Sequence, residues 1–405
     1  MDDIEQVVVI GAGYTGMLAA LGVAKRAKGR AHVTLVNPWE RFTERLRMHQ
    51  IATGQQLAEH RIPDLVAGTG IDFVQGWATG IDTAARTVTV STVDDGQVML
   101  GYDALVYAIG STTDTGRVPG AAEHAFTLNG PQSAQDMAAH LARRGNGEFL
   151  VCGAGLTGIE AATEIAESHP NVRVTLLSRG EPAAMMGAKA RAYLMAALDR
   201  LGVTVRAGVG VTRVLAGGVE LDGGEFVAGD GCLWTTGVRV APLATEAGIA
   251  TDEHGRILTD AMLRSVSHPG IYAIGDAAAI RQAFGVIHGT CQSGMPTAAH
   301  VAENIARQLR GKQLKPFRFG YIHQPVSLGR RDAVIQFTYG DDTPRRWYIT
   351  GRAAVFYKET VSGSPIKTYG LAKRLAVSSR MLATTGGKRN KPVAWGRFGP
   401  ASFTG

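Results

Sequence analysis

Cysteine is scarce in this 405-residue chain: three residues, at Cys152, Cys232 and Cys291, with no paired spacing. That excludes a disulfide-stapled fold and argues for a reducing compartment. Long hydrophobic runs are also missing. No uncharged apolar stretch reaches about 18 residues, so no membrane-spanning helix is expected. There is no zinc-ligand spacing and no basic module interleaved with aromatics, so neither nucleic-acid binding nor a metal site is expected. Met1-Asp2-Asp3-Ile4-Glu5 runs directly towards an apolar strand without a basic stretch, so neither a signal nor a transit peptide is expected, and the cytoplasm is the predicted location. The chain is 45% hydrophobic and 19% charged, as an ordinary globular protein is.

Acidic residues are depleted in one region only. From Arg310 onward there are 18 Lys+Arg and 4 Asp+Glu, a net of +14; the first 309 residues hold 24 and 31, a net of −7. Two readings stand side by side. The tail is a solvated basic surface, or it meets anionic lipid, an acidic partner or a negatively charged substrate.

Glycine is abundant, with 52 residues. Two groups of it carry most of the information: Gly11-Ala12-Gly13-Tyr14-Thr15-Gly16 and Gly153-Ala154-Gly155-Leu156-Thr157-Gly158. Each follows an apolar run, Val7 to Ile10 and Phe149 to Cys152, and each opens a helix-like stretch, the first over Tyr14 to Lys28. In such a turn the first glycine makes the bend, the second lets backbone approach a pyrophosphate, and the third lets helix pack on strand. The helix start then offers N–H groups and a positive dipole end to phosphates. Two fingerprints in strand–turn–helix context predict two dinucleotide sites. A protein that holds two dinucleotides most simply passes electrons between them.

The strands that follow differ in their last residues. His32 to Val36 ends at Asn37, where a ribose-binding acid is usual; Asn37 can bond a hydroxyl without charge. Val172 to Leu177 ends in Ser178-Arg179. A hydroxyl beside a guanidinium suits a 2′-phosphate and leans towards NADPH, unless Arg179 is simply a solvated loop charge. A hairpin is predicted over Thr87 to Leu100. Tyr102 to Ser111 and Gly270 to Asp276 read as strands ending in small residues, Gly110 and Gly275, that backbone or cofactor approaches closely.

This ordered set, GxGxxG, "YDALVYAIGS", GxGxxG and "IYAIGDAA", resembles the pyridine nucleotide–disulfide oxidoreductase superfamily over roughly residues 5 to 310. The resemblance implies FAD on the first fingerprint, Asp276 at its ribityl–pyrophosphate region, and NAD(P)H on the second fingerprint. Asp276 also reads as a helix-capping carboxylate. By the same resemblance Glu160 lies beside the nicotinamide and flavin rings, with Glu164 one turn on. The plainer alternative is a surface carboxylate on an amphipathic helix. Leu233 to Val238 resembles the strand end that borders the nicotinamide, where Gly237 allows close ring approach.

Members with a redox disulfide carry two cysteines where this chain has Phe42 to Gln50, which holds none. Electrons should therefore leave the flavin directly, and Cys152 and Cys232 read as inert buried thiols. Type II NADH dehydrogenases are the most similar branch, supported by Pro316 to Gly320 and Val326 to Val334. One departure concerns the acceptor. Gln292 matches the first glutamine of that branch's quinone-site helix, but Pro296-Thr297 replace its glutamine pair. The expected acceptor is thus quinone-like or another small electrophile. Pro296 suits a first helical turn, so a helix is predicted over Thr297 to Leu309 with Gly311 as its stop. The resemblance aims its start at the flavin, where Thr297 would stabilise charge on the reduced ring; a packing helix is the alternative. His49, near the missing cysteines, is a candidate proton donor or an ordinary core imidazole. Arg45 and Arg47 either contact an FAD phosphate or are solvated.

In the tail, strands are predicted at Pro325 to Leu328, Ala333 to Thr338 and Ala353 to Phe356. A short basic amphipathic helix is predicted around Leu371, Leu375 and Leu382, and a loop over Gly386 to Pro392. The resemblance implies a region that covers the flavin and docks on the inner face of a membrane; a homodimer contact or plain core packing is the other reading. The expected fold is α/β, with two Rossmann-like dinucleotide-binding domains and a smaller α+β C-terminal domain. The boundaries are 1–118 with 250–312 for FAD, 119–249 for NAD(P)H, and 313–405. The expected function is an FAD-dependent NAD(P)H:acceptor oxidoreductase. A biosynthetic flavin oxidoreductase and a non-catalytic flavin redox sensor are its rivals.

Overall fold

The computed structural model describes residues 4–386 and 390–395. Its first unit is built on β1 (Glu5–Ile10), β2 (Ala31–Asn37), β3 (Ile71–Asp82), β4 (Thr87–Thr92), β5 (Gln97–Gly101) and β6 (Ala104–Tyr107). A seventh strand, Ile271–Ala273, arrives from far along the chain and pairs in parallel with β6. The order is Ile271–Ala273, β6, β1, β2, β3, β4, β5. The strands up to β3 are parallel, and the β3–β4–β5 end is antiparallel. Val7 to Ile10 and all of β6 are buried, because helices cover both faces of the parallel part.

The first fingerprint helix, Tyr14–Ala27, lies between this sheet and the helix Cys291–Gln308. The two helices cross closely: a Cβ on Gly22 would stand 2.7 Å from the Ala302 Cβ. The second unit repeats the plan on β7 (Gly147–Cys152), β8 (Val172–Ser178) and β9 (Thr204–Ala207), with Gly231–Trp234 beside β7, all parallel. Its fingerprint helix is Leu156–Ser168. Cys152 and Cys232 are buried here with their sulfurs 3.5 Å apart and unbonded.

The third unit is an antiparallel sheet of His323–Ser327, Ala333–Thr338 and Pro344–Thr350, backed by the 24-residue helix Gly351–Arg374. The strand expected at Ala353 to Phe356 is therefore helix. Ala354, Lys358, Ser362, Pro365, Tyr369 and Ala372 are buried at intervals of three or four residues, a helical stripe that the tail's basic composition obscured. The basic helix expected around Leu371 is only the last turn of this element; Leu382 belongs to a separate short turn, Ser379–Leu382. Residues 387–389 of the expected loop lie outside the described residues. Its flanks are fastened, since the Asn390 amide donates to the carbonyls of Phe319 and Gly340.

Candidate active site between two nucleotide cradles

The two fingerprints have the same backbone logic. Gly11 and Gly153 sit at φ +96° and +115°, conformations that favour glycine. A Cβ on Gly16 would fall 1.7 Å from the Gly11 carbonyl oxygen, and one on Gly158 would fall 1.8 Å from that of Gly153. Helix and turn touch at these points, so a side chain would pry them apart. Gly13 and Gly155 are different. Among the described residues, no atom beyond the glycine's own neighbours and helix turn lies within 4 Å of a Cβ built there. Each faces open space at a helix start, which is the cradle a pyrophosphate fits.

Around the first cradle, the Asn37 side-chain oxygen accepts from the Ala12 N–H at 2.9 Å, and its amide donates to the Trp39 carbonyl at 2.7 Å. Asn37 thus braces the turn and keeps one N–H for a ribose hydroxyl. Ser111 donates to Asp276 at 3.0 Å, and Arg45 reaches the Ser111 carbonyl beside Gly110. A Cβ on Gly289 would collide with the Asp276 carboxylate at 2.4 Å, so the loop before the Cys291 helix hugs this acid. Glycine turn, free helix N–H groups, carboxamide and carboxylate together fit the phosphates and ribose of FAD.

At the second cradle, Ser178 ends β8 and Arg179 is exposed. The Arg179 Nε and the Asp222 carboxylate both lie beside Gly210, within 3.2 Å and 2.9 Å of a Cβ built there. Gly237, at φ +79°, packs against Asp114.

The helix Cys291–Gln308 starts earlier than its proline suggests. Thr290 is the N-cap: its hydroxyl accepts from the Ser293 N–H, and the Ser293 hydroxyl accepts from the Thr290 N–H. This reciprocal cap fixes the start. Pro296 therefore lies inside the helix, where its missing N–H leaves the Gln292 carbonyl without its helical donor. The free N–H groups belong to the turn after Thr290, and Thr297 is buried. The Thr297 hydroxyl donates to the Gly294 carbonyl at 2.5 Å and accepts from the Gly275 N–H at 3.1 Å, pinning the helix to the Gly275-Asp276 turn. The Gln292 amide is also engaged, donating to the His323 carbonyl and accepting from the Ile322 N–H.

Beneath the cradles the fingerprint helix of the second unit meets the C-terminal helix in a buried ionic cluster. Lys358 Nζ stands 2.6 Å from Glu160 Oε1, and the Ser327 N–H donates to the same oxygen at 3.0 Å. Lys358 also donates to the Pro325 carbonyl at 3.1 Å. Burial opposes charge on Glu160, but Lys358 and these hydrogen bonds hold its carboxyl below the usual range. His49, 3% exposed, faces the same cluster; burial pushes its imidazole down to about 4 against the pull of Glu160. Glu164, one turn beyond Glu160, has no charged partner of comparable closeness, and burial pushes it up to about 7. Arg47 is not solvated: it pairs with Glu359 at 3.0 Å, and Glu359 pairs with Arg330 at 2.8 Å.

Lys358 escaped the sequence reading. A lysine at an inward position of the Ala354-Lys358-Ser362 stripe is the signal that finds it, but only once that segment is recognised as helical.

Comparison with known proteins places this geometry. The family model of the pyridine nucleotide-disulphide oxidoreductases matches residues 5–306. An NADH dehydrogenase-like protein of Mycobacterium tuberculosis is 31% identical over 389 residues, covering 88% of this chain and 93% of that one. A type II NADH:quinone oxidoreductase of Staphylococcus aureus is 26% identical, covering 89% and 94%. In fold, the chain is similar to NDH2 from Plasmodium falciparum in complex with NADH, with a TM-score of 0.77 at 14% identity, covering 93% and 100%. The glycine turns, the bracing residues around them and these matches lead to one conclusion: the chain belongs to the pyridine nucleotide-disulphide oxidoreductase family, on its NADH dehydrogenase-like branch.

Proposed function

We propose that the protein is an FAD-dependent NAD(P)H:acceptor oxidoreductase, with the FAD domain formed by residues 1–118 and 250–312 and the nucleotide domain by 119–249. The observation that carries this reading is the matched pair of cradles at Gly13 and Gly155, each open above a helix start. Bound FAD supplies the chemistry of taking hydride from the nicotinamide and passing two electrons to the acceptor. The chain's residues do the rest. Gly11, Gly13, Gly16, Asn37, Arg45, Gly110 and Asp276 hold FAD, and Gly153, Gly155, Gly158, Ser178, Arg179 and Gly237 hold the nicotinamide nucleotide. Glu160 and Lys358 fix the helices that border the rings and keep a paired charge there without solvent. The cap at Thr290, rather than Pro296 and Thr297, supplies free N–H groups at the helix start.

The acceptor is quinone-like, but held differently from what a glutamine pair would do, because Gln292 is spent on His323 and Ile322. Both nicotinamide nucleotides are used, with a shallow preference for NADPH, since Asp222 offsets Arg179. Among the described residues no helix is long and apolar enough to cross a membrane. Exposed Trp347 and Phe356, near Arg346 and Arg352 in sequence, suit peripheral contact with an anionic bilayer, which cosedimentation with phosphatidylglycerol vesicles checks. Anaerobic stopped flow tests the central reading. NADH and NADPH should each bleach the flavin band, and menadione should restore it. If neither nucleotide bleaches it, the reading fails.

A further inference from the structure

We propose that His49 and Glu164 form a sealed proton store, bridged by one water, that supplies the proton the acceptor takes up with its electrons. The inference rests on the acceptor-reduction reading above. His49 Nε2 and Glu164 Oε2 face each other at 4.0 Å. The residues are 3% and 0% exposed, and neither atom has a hydrogen-bond partner among the described residues. Two orphaned polar atoms in one sealed place are costly. Their separation is too long for a direct hydrogen bond, yet one water at about 2.8 Å from each satisfies both.

The groups around them leave the proton on Glu164. Its other oxygen accepts from the Gln55 amide. On its own helix, Glu160 is held by Lys358, and Glu167 accepts from the Arg330 N–H. His169, at the helix end, is turned to the Thr53 carbonyl at 3.3 Å. From the C-terminal helix, Glu359 takes both Arg47 and Arg330. The nearby cations are thus occupied, and no direct counter-charge stabilises a Glu164 carboxylate. The upward shift of Glu164 to about 7 and the downward shift of His49 to about 4 agree with a protonated acid facing a neutral imidazole.

Reducing a quinone-type acceptor to its hydroquinone needs two electrons and two protons. The nicotinamide hydride brings both electrons and one hydrogen nucleus, so one proton must come from elsewhere. Here it leaves the Glu164 Oε2–H, crosses the water to His49 Nε2, and a proton leaves the opposite ring nitrogen for the acceptor oxygen. An O–H bond breaks on Glu164, an N–H bond forms at His49 Nε2 while the one at Nδ1 breaks, and an O–H bond forms on the acceptor. Once the product has left, Nδ1 takes a proton from water in the acceptor site and the Nε2 proton returns across the bridging water to Glu164, which restores both groups.

The test uses the FAD-loaded full chain and two acceptors, menadione, which takes protons, and ferricyanide, which takes electrons only. In Glu164→Gln and His49→Asn the ratio of menadione to ferricyanide turnover should fall by on the order of 100-fold. A merely structural role would slow both acceptors alike and leave the ratio unchanged, which overturns the proposal. Infrared spectroscopy gives a readout independent of turnover. The wild type should show a protonated-carboxyl band that Glu164→Gln lacks and that fades between about pH 6 and about pH 8.5. Its absence from the wild type also overturns the proposal. If nucleotides fail to bleach the flavin but the band behaves as stated, the acceptor reading fails while the store stands.

Discussion

Glu160 and Lys358 lie nearly half the chain apart and meet at 2.6 Å, with only about a tenth of each side chain exposed. Their contact joins the fingerprint helix of the second unit to the helix of the third. In water such a pair would contribute little. Here each partner is what makes the other's burial tolerable.

Breaking the pair from one side should therefore be worse than removing both. Lys358→Met or Glu160→Gln alone should cost roughly 3–5 kcal/mol, because a buried charge loses its partner. The Glu160→Gln/Lys358→Met double variant should regain most of this. Urea unfolding of the FAD-loaded variants measures it, and additive losses would contradict the account.

His49 and Glu164 should tilt the pH dependence of stability in opposite directions. Glu164 holds its proton to about 7 when folded, against 4.5 for a free carboxyl. The folded state thus binds more protons in that window, and its stability falls as pH rises from 4.5 to about 7. His49 is pushed down from 6.5 to about 4, so its contribution is present above 6.5 and lost as pH falls towards 4. Glu164→Gln should leave stability rising more steeply with pH than in the wild type, and His49→Asn less steeply. Unfolding curves at several pH values report the two slopes.

The glycines of one turn should fail in different ways. Gly16→Ala drives a methyl into the Gly11 carbonyl, so the turn opens and the apoprotein loses stability. Gly13→Ala meets no atom of the described residues outside its own turn, so the fold should survive within about 1 kcal/mol. That methyl would occupy the phosphate's place, and the purified variant should carry little flavin. Flavin absorbance per chain and thermal melting separate the two outcomes.

Arg179→Gly should lower kcat/KM for NADPH by about tenfold and leave NADH within about twofold, as loss of one charge-assisted contact to a 2′-phosphate predicts. Steady-state kinetics with both nucleotides decides it; equal losses would make Arg179 a general electrostatic residue.

The cradles were legible because glycine at Gly11 and Gly16 answers to constraints a few residues long: a positive φ and a contact inside one turn. The strand Ile271–Ala273 was equally readable from its continuous apolar run and terminal Gly275-Asp276. Pro296 misled because its preference for a first turn is weaker than the Thr290–Ser293 cap, which starts the helix at Cys291 rather than at Thr297. Ala353 to Phe356 misled because four residues are too few to separate a strand from a helix; the stripe emerges only over Ala354 to Ala372. The Glu160–Lys358 and His49–Glu164 relationships join segments remote in sequence, and no local pattern encodes them.

The C-terminal helix grips both halves of the molecule: Lys358 holds the Glu160 carboxylate, and farther along the Tyr369 hydroxyl bonds the Tyr14 carbonyl at 3.0 Å. It acts as a clamp laid across both units. During synthesis each cradle can close as soon as its own strands emerge from the ribosome. Gln55 on Glu164 and Thr53 on His169 already join the first two units before this late segment is made, so the helix secures a crevice that earlier contacts have framed.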